Sequence, residues 1–382
     1  MSSILFIEPI ACALSSKAKC SPLVVSTRVS STQMDNDKSQ LCSLIETAGQ
    51  LLMANHNIYS HTVRLNHESK AHKRLYEDKG EAAFARSSIS FHDFTDEEGN
   101  IVRRMVVLYP ITPGRQGELS VRQLLAPLEE AAEEEGNALE LVDLRGFQET
   151  GQYLEGMASV VLSADGRFAY MSLSARSDEE VFDILCEEEN FNIPPENRFV
   201  FSSEVPLLVK NDYNEIVPDL NKMEALPHTN VLGWVGKGIC AWALDNLVFE
   251  SEEEQERFFR HLETEYEVVL ELNEAELRAF AGDAVELACP DGGRILVLSE
   301  TSKAALTREH LRALEEWYGA ENIVTFYGTV VERRFGASLP SCMAVSNTHG
   351  PVPPNRRPGA HPLPSQSLRL NRDKNKNKKV TI

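Results

Sequence analysis

Residues 154–178 read LEGMASVVLSADGRFAYMSLSARSD, and the fold of the chain is decided by how this stretch is read. Two short apolar runs, 159–162 and 168–173, have the length and β-branched or aromatic content of strands. A segment with helical spacing follows at 178–187. The local order is therefore strand, strand, helix, with Glu155 at the mouth of the first strand and Arg176 just before the helix.

The same order recurs on both sides. Further strands are predicted at 105–109, 139–142, 199–202, 238–244, 266–272, 294–298 and 322–327. Helices are predicted at 40–55, 120–135, 251–265, 273–281 and 307–318, the third opening with Ser251 and Glu254 in capping-box spacing. A rhythm repeating about every 50–60 residues fits either a ring of similar units or a doubly wound sheet. Both are α/β, and periodicity does not choose between them. Gly233, Gly236 and Gly238 in GWVGKG have the wrong spacing for a phosphate-cradling loop and read as turn glycines between two strands.

The composition, 42% hydrophobic and 25% charged over 382 residues, is that of a globular protein. No apolar run approaches the roughly 20 residues of a membrane span. The net charge of −20 conceals an asymmetry: the last 34 residues hold eight Lys or Arg against one Asp, so residues 1–348 carry −27. An acidic body of that kind repels nucleic acid. Seven cysteines, at 12, 20, 42, 186, 240, 289 and 342, form no C-x-x-C pair. Free thiols in a reducing compartment are the expectation, with neither metal nor organic cofactor.

Three regions are expected along the chain. Residues 1–34 are Ser-rich, carry Lys17, Lys19 and Arg28, and have no acid between Glu8 and Asp35. They read as an organellar transit peptide or as a first strand at 4–7 with a loose loop after it. Residues 35–346 form one domain. Residues 347–382, with six prolines and then an Asn-Lys run, read as a disordered tail. Without a transit peptide the expected location is the cytoplasm.

Chemistry in α/β domains concentrates on loops at strand ends. Four such segments stand out: LEGMAS with Glu155, SARSD with Arg176, PHTNV with His228 at the start of another strand, and FGASLPSCMAV with Cys342. Taken singly, each has an ordinary structural reading: a buried small thiol, a hydrogen-bonded histidine, a surface acid.

Taken together and in order, they resemble the guanidino-group-modifying enzymes, the pentein superfamily, and especially its citrulline-hydrolase and eukaryotic-type dimethylarginine hydrolase branch beside the arginine deiminases. The resemblance spans 80–345. It is carried by Phe84 to His92 (FxxxxxSxH), YPITPGRQGE at 109–118, LEGMAS, the Ser174–Arg176 SxR, HTNV, FAGD at 280–283 and VERRFGASLPSCM.

What the resemblance implies is a five-bladed α/β propeller of strand-strand-helix units with its site on the axis. It also implies cysteine-dependent hydrolysis of a guanidino or ureido group in citrulline, arginine or a methylarginine. Cys342 would be the nucleophile, His228 the acid and base, and Glu155 the carboxylate beside them. Glu81 would grip the guanidinium, and Arg176 and Arg115 the substrate carboxylate, with His92 and Asp283 also lining the substrate. The partner is a small molecule; oligomeric state is not implied. An amidinotransferase using the same intermediate, or an inactive binding member, are the alternatives.

The residue chemistry agrees. A resonance-deactivated guanidinium carbon calls for a thiolate, carboxylates orient the planar cation by paired hydrogen bonds, and an imidazole can protonate the leaving amine and activate water. Two departures bear on activity. The superfamily's Pro-Asn-Asn-Trp stretch is Ala85, Arg86, Ser87 and Ser88, and its glycine-rich, Arg-containing turn before the nucleophile is residues 336–341, GASLPS. A stiffer loop presents Cys342 differently.

Overall fold

The structure is a computed structural model that describes residues 2–9, 11–12, 21–24, 30–64, 79–116, 125 and 139–350. It is a mixed α/β fold in which one pairing scheme recurs five times among the described residues. In each case a first strand pairs antiparallel with a second, and the second pairs parallel with a third. The first-to-second pairs are Ile89–Thr95 with Ile101–Leu108, Val160–Leu162 with Ala169–Ser172, Gly233–Val235 with Ile239–Trp242, and Val285–Ala288 with Arg294–Ser299. Their parallel third strands are Leu139–Asp143, Arg198–Ser203, Val268–Glu271 and Ile323–Phe326.

The fifth unit joins the two ends of the described chain. Ala344–His349 pairs antiparallel with Ser3–Ile7, which pairs parallel with Tyr59–Val63. A parallel third strand requires a crossover, and helices supply it. Ser31–His56, Glu179–Cys186, Glu252–Glu265 and Arg308–Tyr318 lie between second and third strands. Each is started by a side-chain cap, from Ser30, Asp178, Ser251 and Thr307 respectively, which satisfies a backbone N–H that the first turn leaves free. Their apolar faces, such as Val181, Phe182 and Leu185, or Phe258 and Leu262, are buried.

Several expectations change here. The domain does not begin at residue 35: Ile4, Leu5, Phe6 and Ile7 are buried in a strand held on both sides, and the helix expected from 40 starts at Ser31. The sheet also runs past residue 346, since His349 is buried and the strand reaches it. Strand Ile89–Thr95 gives no clear signal in the sequence because His92 and Asp93 interrupt its apolar residues. The ribbon Val205–Lys210 with Ile216–Glu224, exposed mainly on its second strand, likewise carries no sequence signal. His228 does not begin a strand; it precedes the short helix Thr229–Leu232. Apart from residue 125, the helix expected at 120–135 lies outside the described residues, as does the tail beyond 350.

Before each first strand stands a short lead-in segment, and these segments meet in turn. Gly156, at φ +50°, lies so close to the first that a Cβ there would be 2.5 Å from the Arg86 carbonyl oxygen. Thr229 Oγ1 donates to the Ser159 carbonyl at 2.6 Å. A Cβ on Gly282 would fall 2.0 Å from the Val231 carbonyl oxygen. Ser338 N donates to Asp283 at 2.7 Å, and the turn Leu339–Cys342 packs back on Ala85–Ser87. On one side of these segments, residues of all five first strands line a cavity of about 620 Å³.

Removing residues 2–9 is expected to unfold the domain. Burying Ile4, Leu5, Phe6 and Ile7 is worth about 6–12 kcal/mol at roughly 1.5–3 per side chain, comparable to the roughly 5–15 kcal/mol that keeps a domain folded. Circular dichroism and urea denaturation of the truncated chain check this, and a cooperative transition at the full-length midpoint would contradict it.

Candidate active site

On the other side of the lead-in segments, Glu155 is the centre of a buried charge cluster. It sits at the start of Gly156–Ser159, fully excluded from solvent. Its Oε1 accepts from Thr112 N at 3.3 Å and Thr112 Oγ1 at 2.7 Å. Its Oε2 accepts from Arg115 Nη1 at 2.9 Å, Arg176 Nη1 at 3.0 Å and His228 Nε2 at 2.8 Å. Arg176 Nη1 also reaches Glu81 Oε1 at 2.7 Å, and Arg115 Nη2 donates to the Glu81 carbonyl at 2.9 Å. Five residues proposed from sequence, Glu155, His228, Arg115, Arg176 and Glu81, therefore meet directly.

Electrostatics fix their protonation. Burial alone pushes the Glu155 carboxyl up, but the guanidiniums of Arg115 and Arg176, with His228, more than offset it and hold it well below the usual carboxylate range. For Arg176, burial works against the charge, and Glu155 and Glu81 outweigh it, raising its pKa. His228 is lowered: burial dominates, Glu155 pulls up, and the two arginines push down. It is thus a neutral imidazole at neutral pH. Because an ionised carboxylate only accepts, Nε2 carries the proton and Nδ1 has the free lone pair.

Cys342 and Asp283 are placed differently. Cys342 is fully buried, and its side chain belongs to an apolar core with Phe6, Leu41, Phe335 and Met343. Burial first, then the charge of Asp283 and the nearby Cys12, push its thiol far up. The cavity beside the cluster, about 30 Å³, is lined by Glu81, Ser87, Arg176, His228 and Ser341, with the neighbouring Ser341 standing where Cys342 was expected.

Asp283 does not face this space. Its Oδ1 accepts from Asn230 Nδ2 at 2.7 Å. Its Oδ2 accepts from Ser338 N at 2.7 Å, Ser338 Oγ at 2.9 Å and Ser341 Oγ at 2.7 Å. The substrate-lining role expected for it is corrected to one of anchoring the loop that carries Cys342. Burial raises its pKa, against Arg86 and the serine hydrogen bonds.

His92 stands apart. It is the fourth residue of its strand, about 10–13 Å along from the lead-in segment. There it bonds Ser90 Oγ at 2.6 Å and His349 at 2.9 Å and packs on Phe191. Its partners are not those of Glu155, and it lies outside the buried charge cluster. Burial, with His349 and Arg103, keeps it neutral. The residues that sequence reasoning missed, Thr112, Asn230, Ser338 and Ser341, all lay within motifs already singled out. Hydroxyl and amide side chains give no signal of their own, since their partners come from other units.

Comparison with known proteins gives the following. A family model described as "N,N dimethylarginine dimethylhydrolase, eukaryotic" matches residues 76–345. Among solved structures, apo ArgZ, an arginine dihydrolase from the ornithine–ammonia cycle in cyanobacteria, superposes with a TM-score of 0.55 at 13% identity, covering 93% of this chain and 42% of that one. The substrate-bound N-terminal domain of a cysteine-to-serine variant of ArgZ gives 0.54 at 13% identity, covering 92% and 100%. AgrE in its ternary complex with ornithine and NAD+ gives 0.55 at 12% identity, covering 94% and 41%. The chain thus spans less than half of the longer relatives and the whole of the ArgZ N-terminal domain. At such identities the likeness is one of fold. No curated protein matches the sequence.

Changing Glu155 to Gln leaves two buried guanidiniums without their shared carboxylate, and a loss of about 3–5 kcal/mol is expected at pH 7. The folded pKa of Glu155 lies below its unfolded value. Its stabilisation is therefore complete above the ordinary carboxylate range, about 4.3, and is lost as pH falls through the folded value. Urea denaturation of both proteins should show the gap between them narrowing as pH falls below the ordinary carboxylate range.

Proposed function

The chain belongs to the eukaryotic N,N-dimethylarginine dimethylhydrolase family, within the pentein superfamily, and from that premise we propose that it hydrolyses a C–N bond in the guanidino or ureido group of an arginine-like amino acid. In this reading the five units are the blades of an α/β propeller. Supporting it are the repeated pairing, the successive contacts of the lead-in segments, and the cavity lined by all five first strands.

One observation carries the functional reading. Glu81 Oε2 is buried, has no hydrogen-bond partner among the described residues, and belongs to the wall that also holds His228 and Arg176. A buried carboxylate oxygen left unpaired is costly, and a planar head bearing N–H groups satisfies it. Glu155 cannot serve in this way, because its oxygens are already taken by Thr112, Arg115, Arg176 and His228. Its role is to hold the His228 ring and tautomer and to balance the arginines.

Charge bears on the substrate. Two carboxylates and two guanidiniums leave the cluster neutral while His228 is neutral, so an uncharged ureido head enters without adding a buried charge. A guanidinium head fits once Arg176 withdraws from Glu81, which also frees its fork for the substrate carboxylate. Either way the 30 Å³ space must widen to admit a substrate.

The chemistry proposed is stepwise. His228 Nδ1 takes the Cys342 thiol proton as the sulfur bonds to the central carbon, and the C–N bond to the leaving group breaks as His228 passes that proton to the departing nitrogen. Water, deprotonated by His228, then attacks the thio-linked carbon, and the C–S bond breaks to return the thiol. Cys342 must first turn out of its apolar surroundings. Gly336, at φ +68° at the end of Thr329–Phe335, is the backbone position best suited to that movement.

A second reading, a catalytically silent binding member, is favoured by the burial of Cys342 and by Ser341 taking its place in the cavity wall. A panel of citrulline, arginine and dimethylarginine, followed by amino-acid and amine analysis, tests the first. Turnover is expected to vanish in Cys342→Ser and to fall roughly 10²- to 10⁴-fold in His228→Ala, with a haloacetamidine probe labelling Cys342. No turnover and no labelling would leave the silent reading standing.

A further inference from the structure

The lead-in segments separate two spaces, and residues one or two apart within a segment face opposite ways. Ser87, Ala158 and Ser341 line the small cavity of the candidate active site, whereas Arg86, Met157 and Met343 line the 620 Å³ cavity on the far side. That volume falls within the roughly 300–1,000 Å³ typical of small-molecule sites. The first strands give the large cavity an apolar patch that includes Val160, Val161, Trp234 and Val345, beside charged lining residues such as Asp165, Arg167, Glu286 and Arg294.

Arg86 is the unusual group there. Its Nε donates to the Met157 carbonyl at 2.9 Å, while Nη1 is shielded from solvent and meets no acceptor among the described residues. No described carboxylate lies within ion-pair distance of it. Asp283, the acid whose charge reaches it from across the lead-in segments, has both oxygens committed to Asn230, Ser338 and Ser341. Arg86 is half-buried, and its shielded Nη1 has no counter-charge to offset lost hydration, so burial lowers the Arg86 pKa. Arg86 is also one of the positions at which the chain departs from the superfamily's Pro-Asn-Asn-Trp stretch, so the charge is a feature of this chain.

We propose that the large cavity is a second ligand site, separate from the Glu155 cluster. It would take a small organic monocarboxylate whose carboxylate pairs with the Arg86 guanidinium and whose apolar body lies on the Val160, Trp234 and Val345 wall. A planar fork favours bidentate pairing with a carboxylate, and the apolar wall selects against a bare inorganic anion.

The test is calorimetric titration of the full chain with n-hexanoate, n-hexylammonium and inorganic phosphate, with Trp234 emission followed in parallel. Hexanoate is expected to bind saturably at one site and to alter an emission component that disappears in Trp234→Phe. Arg86→Met should weaken hexanoate binding at least tenfold, and Arg86→Lys less. Phosphate should bind at least tenfold more weakly than hexanoate, and hexylammonium should show no saturable binding. If Arg86→Met does not fold, the wild-type comparison decides alone. Hexanoate that fails to bind, that binds no better than hexylammonium or phosphate, or that binds Arg86→Met as tightly as wild type, overturns the proposal.

Discussion

The buried carboxylate of Glu155 is the interaction on which the candidate site depends. Two guanidiniums and an imidazole converge on one oxygen, and a threonine holds the other. Without that negative charge, Arg115 and Arg176 would lose the carboxylate they share in a region that water does not reach, leaving Arg176 with Glu81 as its remaining ion pair among the described residues. With it, segments separated by more than a hundred residues are held together: the 111–116 loop, the two turns that flank the antiparallel strand pair of the second unit, and the lead-in of the third. The same charge sets the His228 tautomer and leaves its Nδ1 lone pair free, so the organisation of structure and the chemistry proposed for it have one source.

A second acid does comparable work for the loop before Cys342. Where the superfamily has glycines and an arginine, this chain has serines, and Ser338 and Ser341 both donate to Asp283. The substitutions thus replace a flexible, cationic turn by one fastened through hydroxyls to a buried carboxylate. Fastening it this way directs Ser341 toward the cavity and Cys342 into the apolar core.

Much of the architecture was legible in the residues. The strands flanking the quoted stretch and the helices beginning near residues 179, 252 and 308 follow from period and capping, because those signals act between near neighbours. Strand Ile89–Thr95 was not legible, since its polar positions, His92 among them, are satisfied by partners from distant segments such as His349. The first strand was ambiguous for a similar reason: alone, residues 3–7 are a short apolar run, and only Ala344–His349 on one side and Tyr59–Val63 on the other make them the middle of a sheet.

The sequence by itself determined the α/β class, the repeating order of elements, and the acids, arginines and histidine that form a site, because these depend on local periodicity and on motif order. Tertiary structure alone decided which of them meet. Side-chain direction at a strand end is set by the neighbouring unit, so His92, Asp283 and Cys342 could be named from motifs but not aimed. Glu155, His228, Arg176, Arg115 and Glu81 converge because opposite charges, once buried, have no other way to be satisfied.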